Sequence, residues 1–271
     1  MNVALADNQV VTGKISANQD GKVTIEDNNR TLDINEISAM WKIGERDLTL
    51  PPPRKWNGEF YTNMIAKSGN TRKFNGGIGA KAALAGPDDK FSAGIYGERE
   101  RDNHQTTTKK YSGNMDYEHV LSGMSNWYVK LEGEKNEIDD IDYRLASTAG
   151  IGHYFIKEAD FQIRLRAGLG YQQKKFESTS KKDDSMIAEV NLHLEKKFEG
   201  YGSLVTDINY LPSLDDIHDY RIVHETSFDI PLAFRTPMSL RMGIKHEYDS
   251  KTSRDIKRLD TTYFANIVYR W

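Results

Sequence analysis

LDTTYFANIVYRW, residues 259–271, is the stretch whose reading decides the fold. Leu259, Thr261, Tyr263, Ala265, Ile267, Tyr269 and Trp271 fall on one face. Asp260, Thr262, Phe264, Asn266, Val268 and Arg270 fall on the other. The alternation has period two, apolar against mostly polar, and marks a strand between two different environments. It holds to the last residue, where a soluble domain ordinarily carries a frayed polar tail. A final strand of this kind must be held along both edges, as in a closed barrel.

Working back from it, the same alternation recurs. Phe161, Ile163, Leu165, Ala167, Leu169 and Tyr171 oppose a polar or glycine face, and so do Met238, Leu240, Met242, Ile244, His246 and Tyr248. About twelve such segments begin near Trp56, Arg72, Lys90, Thr108, Asn126, Asp142, Asp160, Ser185, Tyr201, Asp219, Met238 and Arg258. Each runs roughly ten to fifteen residues, against roughly five or six in soluble sheets, which suits a tilted strand crossing a bilayer. The connections alternate as well. AGPDD, LSGMS, KEAD, EG and RTP are tight, whereas RDNHQTTT, EIDDID, KKFESTSKKDD, LPSLDDIHD and DSKTSRDIK are longer and charged; only KSGNT, the first, is short. Short turns on one side and longer loops on the other are the pattern of periplasmic turns and extracellular loops.

Composition narrows the field. The chain has 271 residues, 38% of them hydrophobic, no cysteine and a formal net charge of -3; its mean hydropathy is -0.68. Helical membrane spans, disulfides and thiolate metal sites are excluded. The charge carries no nucleic-acid footprint, and no cofactor or metal motif is present. Residues 1–50 differ from the rest: Val10–Ile15, Lys22–Glu26 and Thr31–Ile34 read as short strands of a small SH3-like β domain. Met1–Ala6 reads either as the remnant of a secretory leader, with Ala4-Leu5-Ala6 in small-x-small form, or as a flexible terminus. The proline-rich segment 51–55 is a stiff linker that cannot enter a sheet interior.

Period two alone also fits a soluble barrel with its apolar face inside. Two features favour lipid. Aromatics of the apolar face sit near strand ends, at Tyr143, Phe155, Tyr171, Tyr220, Phe234, Tyr269 and Trp271, as interface girdles require. Closure is the second, because unpaired strand edges in hydrocarbon leave polar groups unsatisfied at several kcal/mol each. The expected fold is therefore all-β: a transmembrane up-and-down antiparallel barrel of about twelve strands over residues 56–271, behind the small β domain.

WNGEFYTNMIAKSGNT, with Trp56, Gly58 and the run Ser68-Gly69-Asn70-Thr71, carries a resemblance. DDIDYRLASTAGIGHYFIK, the stretch from Tyr210 to Ser250, Asp260 and the aromatic terminus strengthen it. Over about Trp56 to Trp271 the chain resembles the domain of unknown function 481 family, the salt-induced outer-membrane proteins (YdiY-like). The resemblance implies a Gram-negative outer-membrane barrel and supplies neither a catalytic residue nor a ligand. The terminal strand, with Tyr269 and Trp271 but Asn266 where glycine is frequent, resembles the signal read by the barrel assembly machinery.

On the inward face fall Glu59, Lys81, Arg144, Arg164, Arg166, Glu189, Arg221, Glu225, Asp229, Arg241, Lys245 and Arg270. Eight-stranded barrels are filled by side chains and sixteen-stranded ones leave a channel, so these charges line either a narrow polar pore or a salt-bridged plug. His119, His153, His224 and His246 lie on the lipid parity, where imidazoles suit the interface. None has a serine two residues away, which counts against an esterase, although a dyad across strands stays open. An omptin-like protease would need the outer-loop acids Asp140 and Asp142 with Asp216 and His218 to activate water. The leading reading is a non-enzymatic pore or structural, stress-associated envelope barrel in contact with outer-membrane lipid and lipopolysaccharide. An outer-loop hydrolase competes with it, as does a periplasmic adaptor working through residues 7–50.

Overall fold

The computed structural model describes residues 1–6, 9–17, 22–25, 30–45, 47–50, 52–68, 74–102, 105–137, 139–232, 236–252 and 257–271. The chain divides into two compact units, Met1–Pro53 and Arg54–Trp271.

The first unit has six short strands: β1 (Asn2–Leu5), β2 (Val10–Thr12), β3 (Ile15–Ala17), β4 (Lys22–Ile25), β5 (Arg30–Asp33) and β6 (Ile37–Trp41). They form two three-stranded sheets, β2-β1-β6 and β3-β4-β5. Val3, Leu5, Ile25 and Leu32 make a buried cluster to which Val11, Ile15 and Ile37 pack. The flexible-terminus reading of Met1–Ala6 is overturned here. Asn2–Leu5 is the central strand of its sheet, and Val3 and Ala4 are fully buried. A run that is apolar and small at alternate positions serves a buried strand as well as it mimics a cleavage site.

The second unit is a closed antiparallel barrel of twelve strands. These are β7 (Lys55–Ser68), β8 (Phe74–Ala85), β9 (Asp89–Asp102), β10 (Gln105–Ser122), β11 (Ser125–Asn136) and β12 (Ile141–Lys157). They continue with β13 (Phe161–Phe176), β14 (Lys182–Phe198), β15 (Gly202–Pro212), β16 (Tyr220–Pro231), β17 (Met238–Asp249) and β18 (Leu259–Arg270). Each strand pairs with its neighbours in sequence, and β18 closes onto β7 from Thr261–Ser68 to Arg270–Glu59. At about 3.4 Å per residue a twelve-residue strand is ~40 Å long. Tilted by ~45°, it covers close to the ~30 Å hydrocarbon core.

Sidedness is the reverse of a soluble protein. Ile78, Ile95, Ile151, Trp56 and Phe155 are all more than 60% exposed on the outer face, while Arg144, Arg166 and Glu189 are buried within. The period-two pattern thus places apolar side chains outward and charges inward, the arrangement of a barrel in lipid.

The connections correct one expectation. KKFESTSKKDD is mostly strand, because β13 runs to Phe176 and β14 starts at Lys182, and RDNHQTTT is shortened in the same way between Asp102 and Gln105. Charged residues pair in a ladder as well as apolar ones once the strands rise above the bilayer, so the hairpins extend and the loops contract. The Ser68–Thr71 hairpin lies outside the described residues beyond Ser68. Lys55, Arg270 and the tight turns share one rim, here the entry rim; the opposite one is the far rim.

Gly58 explains the Trp-x-Gly opening. It exchanges both backbone hydrogen bonds with Trp271, at 3.2 and 3.1 Å. The indole lies over the glycine and stacks on Phe60 with ring centroids 4.7 Å apart. A Cβ at Gly58 would fall within 2.7 Å of three indole carbons, so the seam admits a side chain there only if the indole moves.

Candidate functional site

The barrel interior holds a cavity of about 460 Å³. Its charges are organised in two patterns that the linear sequence does not display.

At the far rim, ion pairs cross the lumen. In ring order β10 and β17 are five strands apart, as are β11 and β16, and β12 and β17; on a twelve-stranded ring that is nearly opposite. Lys110 on β10 nevertheless reaches Glu247 on β17 at 3.1 Å. Arg221 on β16 donates to Glu134 on β11 at 3.2 Å and to Glu247 at 2.8 Å. Arg144 on β12 and Lys174 on β13 meet Asp249 on β17 at 2.9 and 3.2 Å. Each of these residues lies near the far end of its strand, so together they form a belt that ties the walls across the mouth. Above it, in the loop after β11, Asp139 accepts a 2.6 Å bond from the Asn136 amide. Burial pushes its carboxyl up to about 6, with Lys110 opposing and Asp260, Glu247 and Glu134 adding.

Below the belt the pairs reach across no more than three strands. Arg241 grips Glu59 with two bonds of 2.8 Å and Asp229 at 2.7 Å; Arg270 also meets Asp229. On the other side Arg164 and Arg166 both hold Glu118, the former at 2.9 Å, and Arg166 pairs with Asp116 at 2.7 Å. At mid-height Glu189 accepts from Tyr128, Lys130 and Thr148 at 3.0, 2.5 and 2.7 Å. Buried ion pairs are poor sources of net stability, because desolvation offsets most of the attraction. The far-rim belt therefore matters more for holding a shape than for strengthening the fold.

The inward residues named from the sequence all belong to this system. Lys81 and Lys245 line the cavity, as does Glu225. His193 escaped the sequence reading; it faces inward and its Nδ1 lies 2.9 Å from Asp207 Oδ1. Its position between Asn191 and Glu195 on the polar parity was the available signal.

Of the aromatic residues singled out for the interface, Tyr143, Phe155, Tyr220, Tyr269 and Trp271 sit at or near strand ends, whereas Tyr171 lies farther inside β13. Phe155, Tyr171, Tyr269 and Trp271 are exposed, while Tyr143 and Tyr220 are half-buried; Phe234 lies outside the described residues. Tyr210 and Tyr248 join Tyr220 in an aromatic group at the far rim, with centroids 5.8 and 5.6 Å away. Among the lipid-parity histidines, His119 sits by Trp127 and His224 stacks on His246 at 5.7 Å. His153 Nδ1 lies 3.0 Å from Ser125 Oγ across the β11–β12 ladder. That is half of a nucleophile site, without a carboxylate or amide orienting the imidazole among the described contacts.

The outer-loop acids are engaged locally. Asp142 is held by Lys135 and Lys175 at 3.3 and 2.6 Å, and Asp140 accepts from the Ser178 backbone N–H at 2.8 Å. Asp216 accepts from the His218 backbone at 3.0 Å, and this bond chiefly holds its carboxyl below the usual range. No contact joins the Asp140–Asp142 pair to Asp216 or His218 among the described residues. A water-activating set needs the acids and the imidazole around one point.

Comparison with solved structures places the fold among outer-membrane barrels. The NanC porin superposes with a TM-score of 0.54 at 6% identity, covering 78% of this chain and 98% of that one. The translocator domain of the autotransporter NalP from Neisseria meningitidis gives 0.47 at 10% identity, over 80% and 88%. At such identities the likeness is one of fold. No curated protein matches in sequence. The profile described as "Protein of unknown function, DUF481" matches residues 63–271, and the chain belongs to that family.

Proposed function

We propose that this protein is a non-enzymatic pore of the bacterial outer membrane, narrow and polar, whose ion flow is limited by the belt at its far rim. The observation that supports this reading is the contrast within one lumen. Among the described residues, ion pairs span four or five strands only near the far end, and below them they span three or fewer around a cavity of about 460 Å³. A plug made simply to stiffen the barrel would be expected to tie the walls at every level. The entry rim then faces the periplasm, together with residues 1–50. In intact cells those residues resist added protease until the outer membrane is permeabilised; cleavage in intact cells reverses the orientation.

Single-channel recording of the refolded full chain in a planar bilayer tests the pore. Small discrete steps are expected from the native protein. Arg221→Gln with Glu247→Gln removes one cation and one anion from the belt, leaves Glu134 to Lys110 and Arg144, and raises the step size several-fold. Silence from both proteins, each shown to be folded by its heat-modifiable mobility, refutes the pore.

A further inference from the structure

Most lumen charges are locked into short pairs, and the few that are not share one chamber. Lys81 on β8 keeps 54% of its side chain exposed, and its ion-pair contact with Glu59 is a long 3.9 Å. Its ammonium stands 5.7 Å over the ring of Tyr61. That ring is pressed flat on the wall at Gly79, where a Cβ would come within 2.7 Å of it. Tyr96 lies nearly parallel beside it, with centroids 6.2 Å apart.

Across the lumen the open charges have the other sign. Asp207 on β15 has 45% of its side chain exposed despite its bond to His193. It stands directly opposite Glu225 on β16 in the register. Glu225 forms no ion pair among the described residues, and the next position in the same rung is Lys245, which turns to Glu247 at 3.2 Å. Two carboxylates facing each other across a ladder repel, so a cation between them is favoured. Strands β8 and β15 are five apart around the ring, yet Lys81, Tyr61, Asp207 and Glu225 all line the same cavity. The chamber therefore has an open cationic wall and an open anionic wall within electrostatic reach of each other.

We infer that this mid-barrel chamber binds small zwitterions of the amino-acid or short-peptide class. The ligand carboxylate goes to Lys81, its ammonium lies between Asp207 and Glu225, and its carbon skeleton lies along the Tyr61 ring. A simple cation drawn to the carboxylates meets Lys81, and a simple anion meets the acids; only a molecule carrying both charges satisfies both walls. The cavity of about 460 Å³ lies within the roughly 300–1,000 Å³ of small-molecule sites. The inference rests on the pore reading only in that solute must reach the lumen.

The test is calorimetric titration of the refolded full chain in detergent with three probes: glycylglycine, its carboxamide, which is only a cation, and N-acetylglycylglycine, which is only an anion. Glycylglycine is expected to bind at least tenfold tighter than either analogue. Lys81→Met should weaken it tenfold while leaving the carboxamide bound as tightly or tighter. Asp207→Asn with Glu225→Gln should weaken glycylglycine and the carboxamide but not the acetylated probe. Equal binding of all three, no binding, or indifference to Lys81→Met overturns the site. Glu59 keeps Arg241 in the Lys81 variant, and heat-modifiable mobility checks folding in each case. Potassium chloride conductance recorded in parallel separates the two readings. Current without selective binding refutes the site alone, and binding without current refutes the pore alone.

Discussion

Replacing Gly58 by alanine tests the seam on which barrel closure depends. A single methyl group at this position would lie within 2.7 Å of three carbons of the Trp271 indole, far inside van der Waals contact, so the ring must move away. Moving it forfeits the stack on Phe60, now at 4.7 Å, worth about 0.5–1.5 kcal/mol beyond burial. Strain in the paired backbone brings the total to about 1–3 kcal/mol, the usual cost of overpacking. Urea unfolding of the refolded protein in detergent, followed by far-UV circular dichroism, measures this without relying on tryptophan emission. The decisive comparison is a double-mutant cycle. In a Trp271→Ala background the methyl group meets no indole, so Gly58→Ala should cost less than about 0.5 kcal/mol there. Additive effects of the two substitutions would refute the account and leave Gly58 explained by backbone freedom alone.

Two other perturbations have signs fixed by the structure. Glu189→Leu strands Tyr128 and Thr148 and leaves Lys130 with Glu132 alone, at 3.1 Å; it should destabilise by about 1–3 kcal/mol, and adding Lys130→Met should recover part of that loss in the same urea assay. Asp139 has a carboxyl raised from 3.8 to about 6 by burial, so its contribution favours the folded loop at acid pH and is lost as pH rises from about 4 through 6. Asp139→Asn should therefore stabilise the barrel at pH 8 by about 3 kcal/mol and change little at pH 4; equal effects at both pH values would remove the buried carboxyl as the cause.

Much of the barrel was legible because a period of two leaves little freedom. Once Leu259 to Trp271 is read as a two-faced strand, the remaining strands follow from the same alternation, and their starts differ from the observed ones mainly where a loop was expected. Parity assigned Arg144, Arg221 and Glu189 to the interior. It could not pair them, because Arg144 and Asp249 are 105 residues apart and only ring closure brings them together. Ser125 and His153 were invisible as a pair for a similar reason: their contact depends on the β11–β12 register, which no local motif fixes. Asn2–Leu5 misled because four residues are too few for a period to declare itself, and small apolar residues suit a leader and a core strand equally.

The two arrangements of charge bear separately on the two proposals. The belt draws on the far ends of β10, β11, β12 and β13 on one side and of β16 and β17 on the other. It contains neither Lys81 nor Asp207. Those two lie below it, in the part of the lumen where ion pairs span three strands or fewer. Loosening the belt should therefore widen the path for ions without altering what the chamber holds. Removing Lys81 should empty the chamber of zwitterions without opening the mouth. If the Arg221→Gln, Glu247→Gln protein changed glycylglycine affinity as much as Lys81→Met does, belt and chamber would be one electrostatic unit, and the division of the lumen into a restriction and a site would fail.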